Sequence, residues 1–336
     1  MKTYIIRRLL FVIPILIGVS LTIFITSNLL PGDPVALMLG PHATREQVEN
    51  LKKAWGMDKP LYLQYLLYIK SVILKGDFGL SLQTKRPVLW DLSDRFPASL
   101  ELSTVAMILS LLIGIPLGII SAIKRNSLTD IFARSFSLIG VSMPIFWLGF
   151  MILLVFYLKL NLFSGGGRIS LFISSPHKIT GFFLLDSLLT GNWNAFKSSL
   201  NHIFLPAFTL SFTLLAIISR ITRSSMLEVL GQDYIRTARS KGLSEKIVIR
   251  KHCLKNALLP IITVAGTLYG QLIGGLIVTE AVFNWPGDGR YLVDSILYLD
   301  YKPVMGFTII TSFAFVMINL VVDVLYAFID PRVRYN

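Results

Sequence analysis

This chain of 336 residues has a single cysteine and no Gly-Lys pair. Each of these two features excludes a class of functional site. Cys253 is the only cysteine, so the chain has no internal disulfide and no metal site built from several cysteines. None of the 24 glycines is followed directly by lysine, the pair that a phosphate-binding P-loop needs. We therefore expect no ATP site of that kind, no metal and no cofactor in this chain.

Catalytic arrangements are missing as well. The four histidines are scattered, and neither an H-E-x-x-H helix nor a G-x-S-x-G elbow occurs. His252 lies beside Cys253, but adjacent residues on a helix point about 100° apart and no further ligand is close in sequence. The Ser-Gly-Gly-Gly run at 164–167 is typical of a flexible turn. We predict no catalytic residues and no enzyme activity.

Charge is also scarce, and apolar residues replace it. Only 15% of the residues are charged, 54% are apolar and the mean hydropathy is +0.67, which excludes an ordinary water-soluble domain. About 20 apolar residues span a bilayer core. Six runs reach that length: Leu9–Leu30, Ser99–Ile123, Phe136–Leu160, His202–Ile221, Leu259–Phe283 and Gly306–Ile329. We predict an all-α membrane protein with six transmembrane helices.

The basic residues predict the orientation of these helices. They flank the first run and the short loop after the second: Lys2, Arg7, Arg8, Lys124, Arg125 and Arg134. The segment from Arg220 to Lys255 adds nine Lys or Arg against three acids. By the positive-inside rule these segments and both termini are cytoplasmic, and the net charge of +13 then reflects topology, not nucleic-acid binding. Because no small-x-small cleavage site follows the first run, we expect it to be an uncleaved anchor.

This layout divides the chain into two regions. Residues 1–98 hold the first membrane helix and a long external loop, in which Leu61–Leu74 has the apolar spacing of a helix lying along the membrane. Residues 99–336 hold five membrane helices with a cytoplasmic segment at 223–258. A second external loop lies at about 161–201.

Glycines recur every fourth residue in two of the runs. Gly266, Gly270 and Gly274 share one face of the fifth helix, and Gly114 and Gly118 repeat the spacing in the second. Such a stripe lets two helices approach closely. Two interpretations stay open, static packing of a bundle or a smooth contact along which helices move in a transport cycle.

Polar side chains inside the predicted membrane helices are candidates for a transport pathway. Gln271, Glu280, Asn319 and Asp323 are costly in lipid, so we expect them to face the protein interior, a cavity or an interface. Asp323, near the inner end, has the alternative of pairing with a nearby arginine.

The densest pattern lies in the cytoplasmic segment and predicts two helices with a joint. Asp233 is placed as the N-cap of a short helix that Gly242 ends. Ile235, Ala238 and Gly242 form a small apolar face, whereas Arg236, Arg239 and Lys241 project elsewhere. Such a helix is suited to docking on a partner, although a solvated basic loop has the same composition. The residues assigned to docking are Asp233, Tyr234, Ile235, Arg236, Thr237, Ala238, Arg239, Lys241 and Gly242.

This segment resembles the cytoplasmic coupling loop, or EAA loop, of binding-protein-dependent ABC-transporter permeases. The Glu-Ala-Ala triplet of that loop is here Arg236-Thr237-Ala238, and the distance from Gly242 to Pro260 is longer than usual. The run Tyr-Ile-Arg-Thr-Ala-Arg-Ser-Lys-Gly-Leu at 234–243 is the form typical of peptide and nickel permeases.

Motifs along nearly all of the chain resemble the B-type permease subunit of dipeptide importers. They are Leu-Pro-Gly-Asp-Pro-Val at 30–35, Asp-Lys-Pro-Leu at 58–61, Gly-Asp-Phe-Gly at 76–79, Ser-Met-Pro-Ile-Phe-Trp at 142–147, Trp-Pro-Gly at 285–287 and Asp-Pro-Arg at 330–332. Asp288 departs from the family, which usually has an apolar residue there.

The resemblance implies a transmembrane subunit of a type I ABC importer in the bacterial inner membrane. It implies a heterodimer with a second permease subunit, two cytoplasmic ATP-binding subunits that hold ATP and Mg²⁺, and an external peptide-binding protein. ATP-driven alternating access would then pass dipeptides between the two permease subunits.

Alternatives to this function remain at the level of sequence. Oligopeptide, nickel-chelate and haem importers use similar permeases. An ion-coupled secondary transporter would normally show inverted repeats and intramembrane charges. An intramembrane enzyme would need a nucleophile and base, or metal ligands, on facing helices.

Overall fold

The regular structure of the chain is helical. The computed structural model describes residues 2–29, 35, 39, 44–54 and 56–329. In chain order the α-helices are α1 (Lys2–Leu29), α2 (Arg45–Ala54), α3 (Leu61–Lys75), α4 (Val88–Ile123), α5 (Leu128–Ser142), α6 (Ile145–Ile152), α7 (Phe183–Leu189), α8 (Trp193–Leu230), α9 (Asp233–Ser240), α10 (Glu245–Ile247), α11 (Lys255–Gly275), α12 (Ile277–Val282), α13 (Asp288–Leu297) and α14 (Tyr301–Ile329). Two π-helices, Leu153–Lys159 and Val248–Leu254, continue α6 and join α10 to α11.

Among the residues that the structure describes, five stretches of helix are long and apolar enough to cross a membrane. They are Leu10–Leu29, Val88–Ile123, Trp193–Leu230, Glu245–Gly275 and Tyr301–Val322. Each overlaps one of the predicted runs, so these five predictions are confirmed as helices of sufficient length. Several extend beyond their apolar run, and α4 begins at Val88, directly after Pro87. The predicted boundary between residues 98 and 99 therefore lies inside α4.

The predicted run Phe136–Leu160 is not one straight helix. It is part of a pair, Leu128–Ser142 and Ile145–Lys159, whose axes meet at 106°. Proline has no N–H for the helical ladder and disfavours helical geometry in the residue before it. Met143 accordingly has φ −80° and ψ 129°, and Pro144 is the N-cap of α6. Counted as a single crossing, this pair brings the number of spans to six.

The end of the fifth predicted run is also wrong. The continuous helix stops at Gly275, and the residues that follow form the separate helix α12. Helix formation is weak at this point because Gly274 and Gly275 carry a high cost in backbone entropy. Glu280 is therefore in α12, beyond the span Glu245–Gly275.

The main core of the bundle lies where α4, α8 and α11 meet. Five large apolar side chains in this core are at most 2% exposed: Leu102 of α4, Ile203, Leu210 and Ile218 of α8, and Ile261 of α11. Lipid tails are as apolar as these side chains, so close packing, more than removal from water, holds such helices together. This core fixes the positions of the segments at both ends of the bundle.

The helix predicted at Leu61–Leu74 is confirmed as α3, which packs on α1. The ring of Tyr65 lies 5.4 Å from the ring of Phe24, and its hydroxyl is 2.9 Å from the Ser20 hydroxyl. Gly76 ends α3 with φ 62°. Most of the predicted motif at 30–35 and the whole motif at 330–332 lie outside the described residues.

Candidate functional site

The predicted docking helix is present as α9, but it starts differently from the prediction. Gln232, in extended conformation, is the N-cap, and its carbonyl accepts hydrogen bonds from the N–H groups of Ile235 (3.1 Å) and Arg236 (3.4 Å). Asp233 is the first helical residue, so its prediction as the N-cap is wrong. Its carboxylate still lies in the first turn, where it interacts favourably with the helix dipole.

Gly242 ends the helix by adopting a left-handed conformation, with φ 74°. The N–H of Gly242 donates to the carbonyl of Arg239 (2.9 Å) and the N–H of Leu243 donates to the carbonyl of Ala238 (3.4 Å). These two bonds form a Schellman motif, which favours glycine at this position because glycine adopts positive φ without strain.

The apolar face of α9 is turned into this chain. Ile235 is 0% exposed and Ala238 is 6% exposed. Their neighbours in the same cluster come from four other segments: Ala122, Met226, Val248, Cys253 and Ala257. Gly242, the third residue predicted for this face, is exposed at the end of the helix. The part of α9 that faces outward is therefore polar.

The outward face of α9 carries two arginines in different environments. Arg239 makes a two-pronged ion pair with Glu245, Nε to Oε1 at 2.7 Å and Nη2 to Oε2 at 3.3 Å, which ties α9 to α10. Arg236 lies 3.7 Å from Asp233, and these side chains are 77% and 96% exposed. Exposed pairs of this kind contribute little stability, so Arg236 is accessible to a partner whereas Arg239 shapes the turn.

The remaining polar residues of α9 lie close to the next helix or at the surface. The Nδ2 of Asn256 donates to the Tyr234 hydroxyl at 3.0 Å. Thr237 donates its hydroxyl to the Asp233 carbonyl at 3.1 Å, and Lys241 is exposed.

A buried ion pair, not predicted from the sequence, anchors the segment before α9. Arg223 near the end of α8 binds Asp130 of α5 with two hydrogen bonds, Nε to Oδ1 at 2.7 Å and Nη2 to Oδ2 at 2.9 Å. Ser121 of α4 donates to the same carboxylate at 2.5 Å, and Asp130 is fully buried. Removing either partner of such a pair leaves a charge buried alone. Three helices are thus held together where the docking segment begins.

The glycines of α4 lie against α8. A Cβ at Gly114 would meet Ile218 at 3.1 Å and the Leu215 carbonyl oxygen at 3.2 Å. A Cβ at Gly118 would lie 2.5 Å from Thr222 and 2.6 Å from the carbonyl oxygen of Ser219. No larger side chain fits at Gly118 without moving the backbone.

The glycine stripe of α11 lies along α14, and the contact loosens toward one end. A Cβ at Gly266 would be 2.4 Å from Val322, at Gly270 3.3 Å from Phe315, and at Gly274 3.9 Å from Thr311. The structure thus brings each predicted glycine stripe into a helix contact, and both the packing and the transport interpretations remain predictions.

The predicted pathway residues do not converge on one site. Gln271 is exposed on α11. Asn319 of α14 donates to the Phe315 carbonyl at 2.9 Å and lies beside Gly270. Glu280 is 0% exposed, and the side chain of Asp323 lies outside the described part of the chain.

Glu280 belongs instead to a carboxyl cluster with Ser99 and Asp288, which connects α4, α12 and α13. The hydroxyl of Ser99 is 2.5 Å from Oε1 of Glu280 and also contacts Oδ1 of Asp288. The backbone N–H of Arg290 donates to Oε2 of Glu280 at 2.9 Å. Both carboxyl groups are at most 2% exposed. Asp288 departs from the family pattern in sequence, but its contact with Ser99 joins residues 189 positions apart, which no local pattern connects.

Burial and the neighbouring charge raise the pKa of Glu280, and burial raises the pKa of Asp288. A single hydroxyl hydrogen cannot satisfy two carboxylates. The arrangement therefore favours one proton held between the two carboxyl groups.

The Ser-Gly-Gly-Gly run at 164–167 lies outside the helices, as its prediction as a turn requires, but two of its glycines are closely packed. A Cβ at Gly165 would lie 2.6 Å from the ring of Tyr157, and one at Gly166 would lie 2.8 Å from the Phe283 carbonyl oxygen. Arg168, directly after the run, makes a buried ion pair with Glu101 at 2.5 Å. Gly165 and Gly166 therefore allow close approach, whereas Gly167 has φ 76° with no atom within 4 Å of an added Cβ, the backbone conformation of a turn.

Within the described ranges, no group of three or more His, Cys, Asp or Glu side chains is placed to hold a metal ion. His252 and Cys253 lie in the π-helix Val248–Leu254, and Cys253 is buried in the cluster under α9.

Comparison with known proteins identifies relatives along the whole chain. The family of binding-protein-dependent transport system inner membrane components matches residues 114–335, and the N-terminal family of the same membrane components matches residues 1–103. The probable D,D-dipeptide transport system permease protein of Escherichia coli (strain K12) is 48% identical over 316 residues, covering 94% of this chain and 93% of that protein. The dipeptide transport system permease protein of the same organism is 43% identical over 339 residues, covering 100% of both chains.

The fold is similar to that of a chain in the inward-facing MetNI methionine ABC transporter. The TM-score is 0.53 at 15% identity, with 72% of this chain and 97% of that chain covered. At this identity the likeness concerns the fold alone. Together with the two family matches, the full-length relatives show that this chain belongs to the family of binding-protein-dependent transport system inner membrane components.

Proposed function

We propose that this chain is one permease subunit of an ATP-driven importer of dipeptides and other small peptides. The observation that carries the proposal is the full-length identity of 43% to a dipeptide permease, with no part of either chain left uncovered. A further relative, the glutathione transport system permease protein of Escherichia coli O1:K1, is 39% identical over 336 residues. Dipeptides and glutathione are short peptides, which favours peptide over nickel chelate or haem as substrate.

The proposed topology has six crossings with both termini in the cytoplasm. The bent pair α5 and α6 counts as the third crossing, and the π-helix Leu153–Lys159 completes it. The basic residues around α9 then lie on the side where ATP is available, as the positive-inside rule requires.

The proposed mechanism assigns ATP chemistry to partner chains. Two cytoplasmic subunits bind ATP and Mg²⁺, and one of them receives the polar face of α9. Closure of these subunits displaces α9, and the cluster beneath it transmits the displacement to α4, α8 and α11. Substrate arrives from an external peptide-binding protein and passes between this chain and a second permease subunit.

The decisive experiment measures uptake of a radiolabelled dipeptide in cells that lack this subunit, with and without a plasmid-borne copy. We expect uptake to be lost in the deletion, restored by the plasmid and abolished by ATP depletion, but to persist when the proton gradient alone is collapsed. Unchanged dipeptide uptake in the deletion strain would reject the substrate assignment. Failure of ATP-binding subunits to co-purify with the chain would reject the architecture.

A further inference from the structure

A cavity of about 560 Å³ opens between α5 and α8, at the end of the bundle that carries α9. Its polar lining consists of three arginines and four serines: Arg134, Arg220, Arg223, Ser121, Ser137, Ser219 and Ser224. None of the described residues that line it is acidic. The cavity thus presents cationic groups and hydroxyl groups together, the combination that binds phosphate oxygens.

The positive charge of this cavity is only partly neutralised. Asp130 is engaged by two hydrogen bonds from Arg223, and Nε of Arg134 lies 3.7 Å from the same carboxylate with its side chain 54% exposed. Within the described part of the chain, Arg220 forms no ion pair with a carboxylate. One carboxylate is therefore shared by Arg223 and Arg134, Arg220 adds a third guanidinium group, and the net positive charge of the cavity attracts an anion.

An apolar groove continues from the basic cavity along α5. Leu138 lines the cavity and also a second depression of about 540 Å³, which Pro144, Phe146 and Trp147 line at the bend. Leu138 is 70% exposed and Phe146 is 51% exposed. A ligand that occupies both spaces needs an anionic head and an apolar tail.

The depth of the basic groups matches the region of lipid headgroups. Arg134 lies six residues after the start of α5, and Arg220 lies ten residues before the end of α8. Arg134 also lies two residues before the apolar run Phe136–Leu160, and Arg220 lies one residue before the end of the run His202–Ile221, so both side chains are within reach of the interface. Basic pockets between membrane helices on the cytoplasmic side bind anionic headgroups.

We propose that this cavity binds one anionic phospholipid, with its phosphate on Arg134 and Arg220 and an acyl chain along Leu138 into the groove at the bend. Arg223 shapes the floor of the site through Asp130.

Native mass spectrometry of the purified complex tests the proposal. The complex, delipidated in detergent, is titrated with phosphatidylglycerol, with phosphatidylcholine and with glycerol 1-phosphate as the soluble headgroup. We expect retention of phosphatidylglycerol, weak binding of phosphatidylcholine and no binding of glycerol 1-phosphate, which lacks the acyl chain. Each arginine is expected to contribute about fivefold to the affinity, so Arg134→Gln with Arg220→Gln lowers it about 25-fold.

Two controls separate lipid binding from folding. Lys124→Gln with Arg125→Gln removes two exposed charges at the same end of the bundle and is expected to leave lipid affinity unchanged. Arg134→Lys with Arg220→Lys retains the charge and is expected to recover most of the binding. Equal retention of phosphatidylcholine and phosphatidylglycerol, or wild-type affinity in the glutamine variant, would overturn the proposal. So would cross-linking of Leu138→Cys to a neighbouring protein subunit, since the groove would then be filled by protein.

Discussion

At the scale of single residues, the structure gives the two arginines of α9 different environments, although the sequence predicts the same outward position for both. Arg236 is exposed beside Asp233, whereas Arg239 is engaged by Glu245. The two substitutions therefore have different expected effects. Both matter for the proposed docking of ATP-binding subunits.

Arg236→Glu is expected to lower ATP-driven peptide uptake at least about tenfold, because a reversed charge at the docking surface is repelled by the groups that received the arginine. The amount of chain in the membrane should not change, since Arg236 supports no buried contact in the described structure. Uptake assays paired with immunoblots of membranes measure both quantities. Arg250→Glu, an exposed arginine outside α9, is the matched control and should retain uptake. Full uptake by the Arg236 variant would remove α9 from the coupling surface.

Arg239→Glu is expected to impair uptake for a different reason, since it places two acids side by side at the turn between α9 and α10. Exchanging the charges, with Arg239→Glu and Glu245→Arg together, should restore the ion pair and much of the uptake. This double-mutant cycle is read in the same transport assay. No recovery in the exchange variant would show that Arg239 itself contacts the partner.

The carboxyl cluster of Ser99, Glu280 and Asp288 predicts a pH dependence of stability. Raised carboxyl pKa values mean that the folded chain binds protons more tightly than the unfolded chain. The resulting stabilisation is complete below the ordinary carboxyl pKa of about 4 and is lost as pH rises through the raised values. We expect the melting temperature in detergent to fall between pH 5.5 and pH 8.

Asp288→Asn should flatten this dependence and raise the melting temperature at pH 8, because the amide carries no charge. Asp94→Asn, at an exposed ion pair with Lys178, is the control that leaves the slope in place. The assignment is wrong if the Asp288 variant keeps the wild-type slope.

At the scale of helices, the glycine contacts predict unequal tolerance of a methyl group. Gly118→Ala would place Cβ 2.5 Å from a Thr222 carbon and 2.6 Å from a backbone carbonyl, so the chain should lose about 1–3 kcal/mol of stability. Gly18→Ala in α1 has no atom within 4 Å and should be neutral or stabilising. Thermal unfolding of the two variants in detergent makes the comparison. Equal stability would mean that α4 and α8 do not approach as closely as described.

The sequence was sufficient for the positions of most helices but not for their contacts. A membrane helix can be located from the hydropathy of its own twenty or so residues. The predicted and observed positions therefore agree for α1, α4, α8 and α14. The bend before α6 depends on Pro144, yet proline inside an apolar run is also compatible with a continuous helix, as Pro116 in α4 shows. Local periodicity therefore cannot decide between the two outcomes.

The sequence also does not determine whether the apolar face of α9 points toward a partner or into its own chain. Ile235 and Ala238 suit a groove on a partner as well as the core of their own chain, because both environments are apolar. Contacts such as Ser99 with Asp288 join residues that are far apart in sequence, and single-sequence reasoning has no means to pair them.

At the scale of the whole molecule, the two sides of the membrane can be distinguished with thiol reagents. Cys253 is 0% exposed, so a Cys253→Ser chain supplies a cysteine-free background with little change at the surface. Leu171→Cys, at a residue 99% exposed in the loop that we propose to be external, should react with a membrane-impermeant maleimide in right-side-out vesicles. Lys246→Cys should react only after the vesicles are opened. Labelling of both positions from one side would contradict the proposed topology.

The cluster under α9 also determines which face of this helix is left for a docking partner. The apolar side of α9, Ile235 and Ala238, packs in one cluster with residues of three spans: Met226 of α8, Ala122 of α4 and Ala257 of α11. A displacement of α9 therefore acts on all three spans. The exposed face of α9 offers polar and charged groups, and binding through charged groups weakens as ionic strength rises. If α9 is the docking helix that we propose, high salt releases the ATP-binding subunit, while α9 itself stays packed against the three spans.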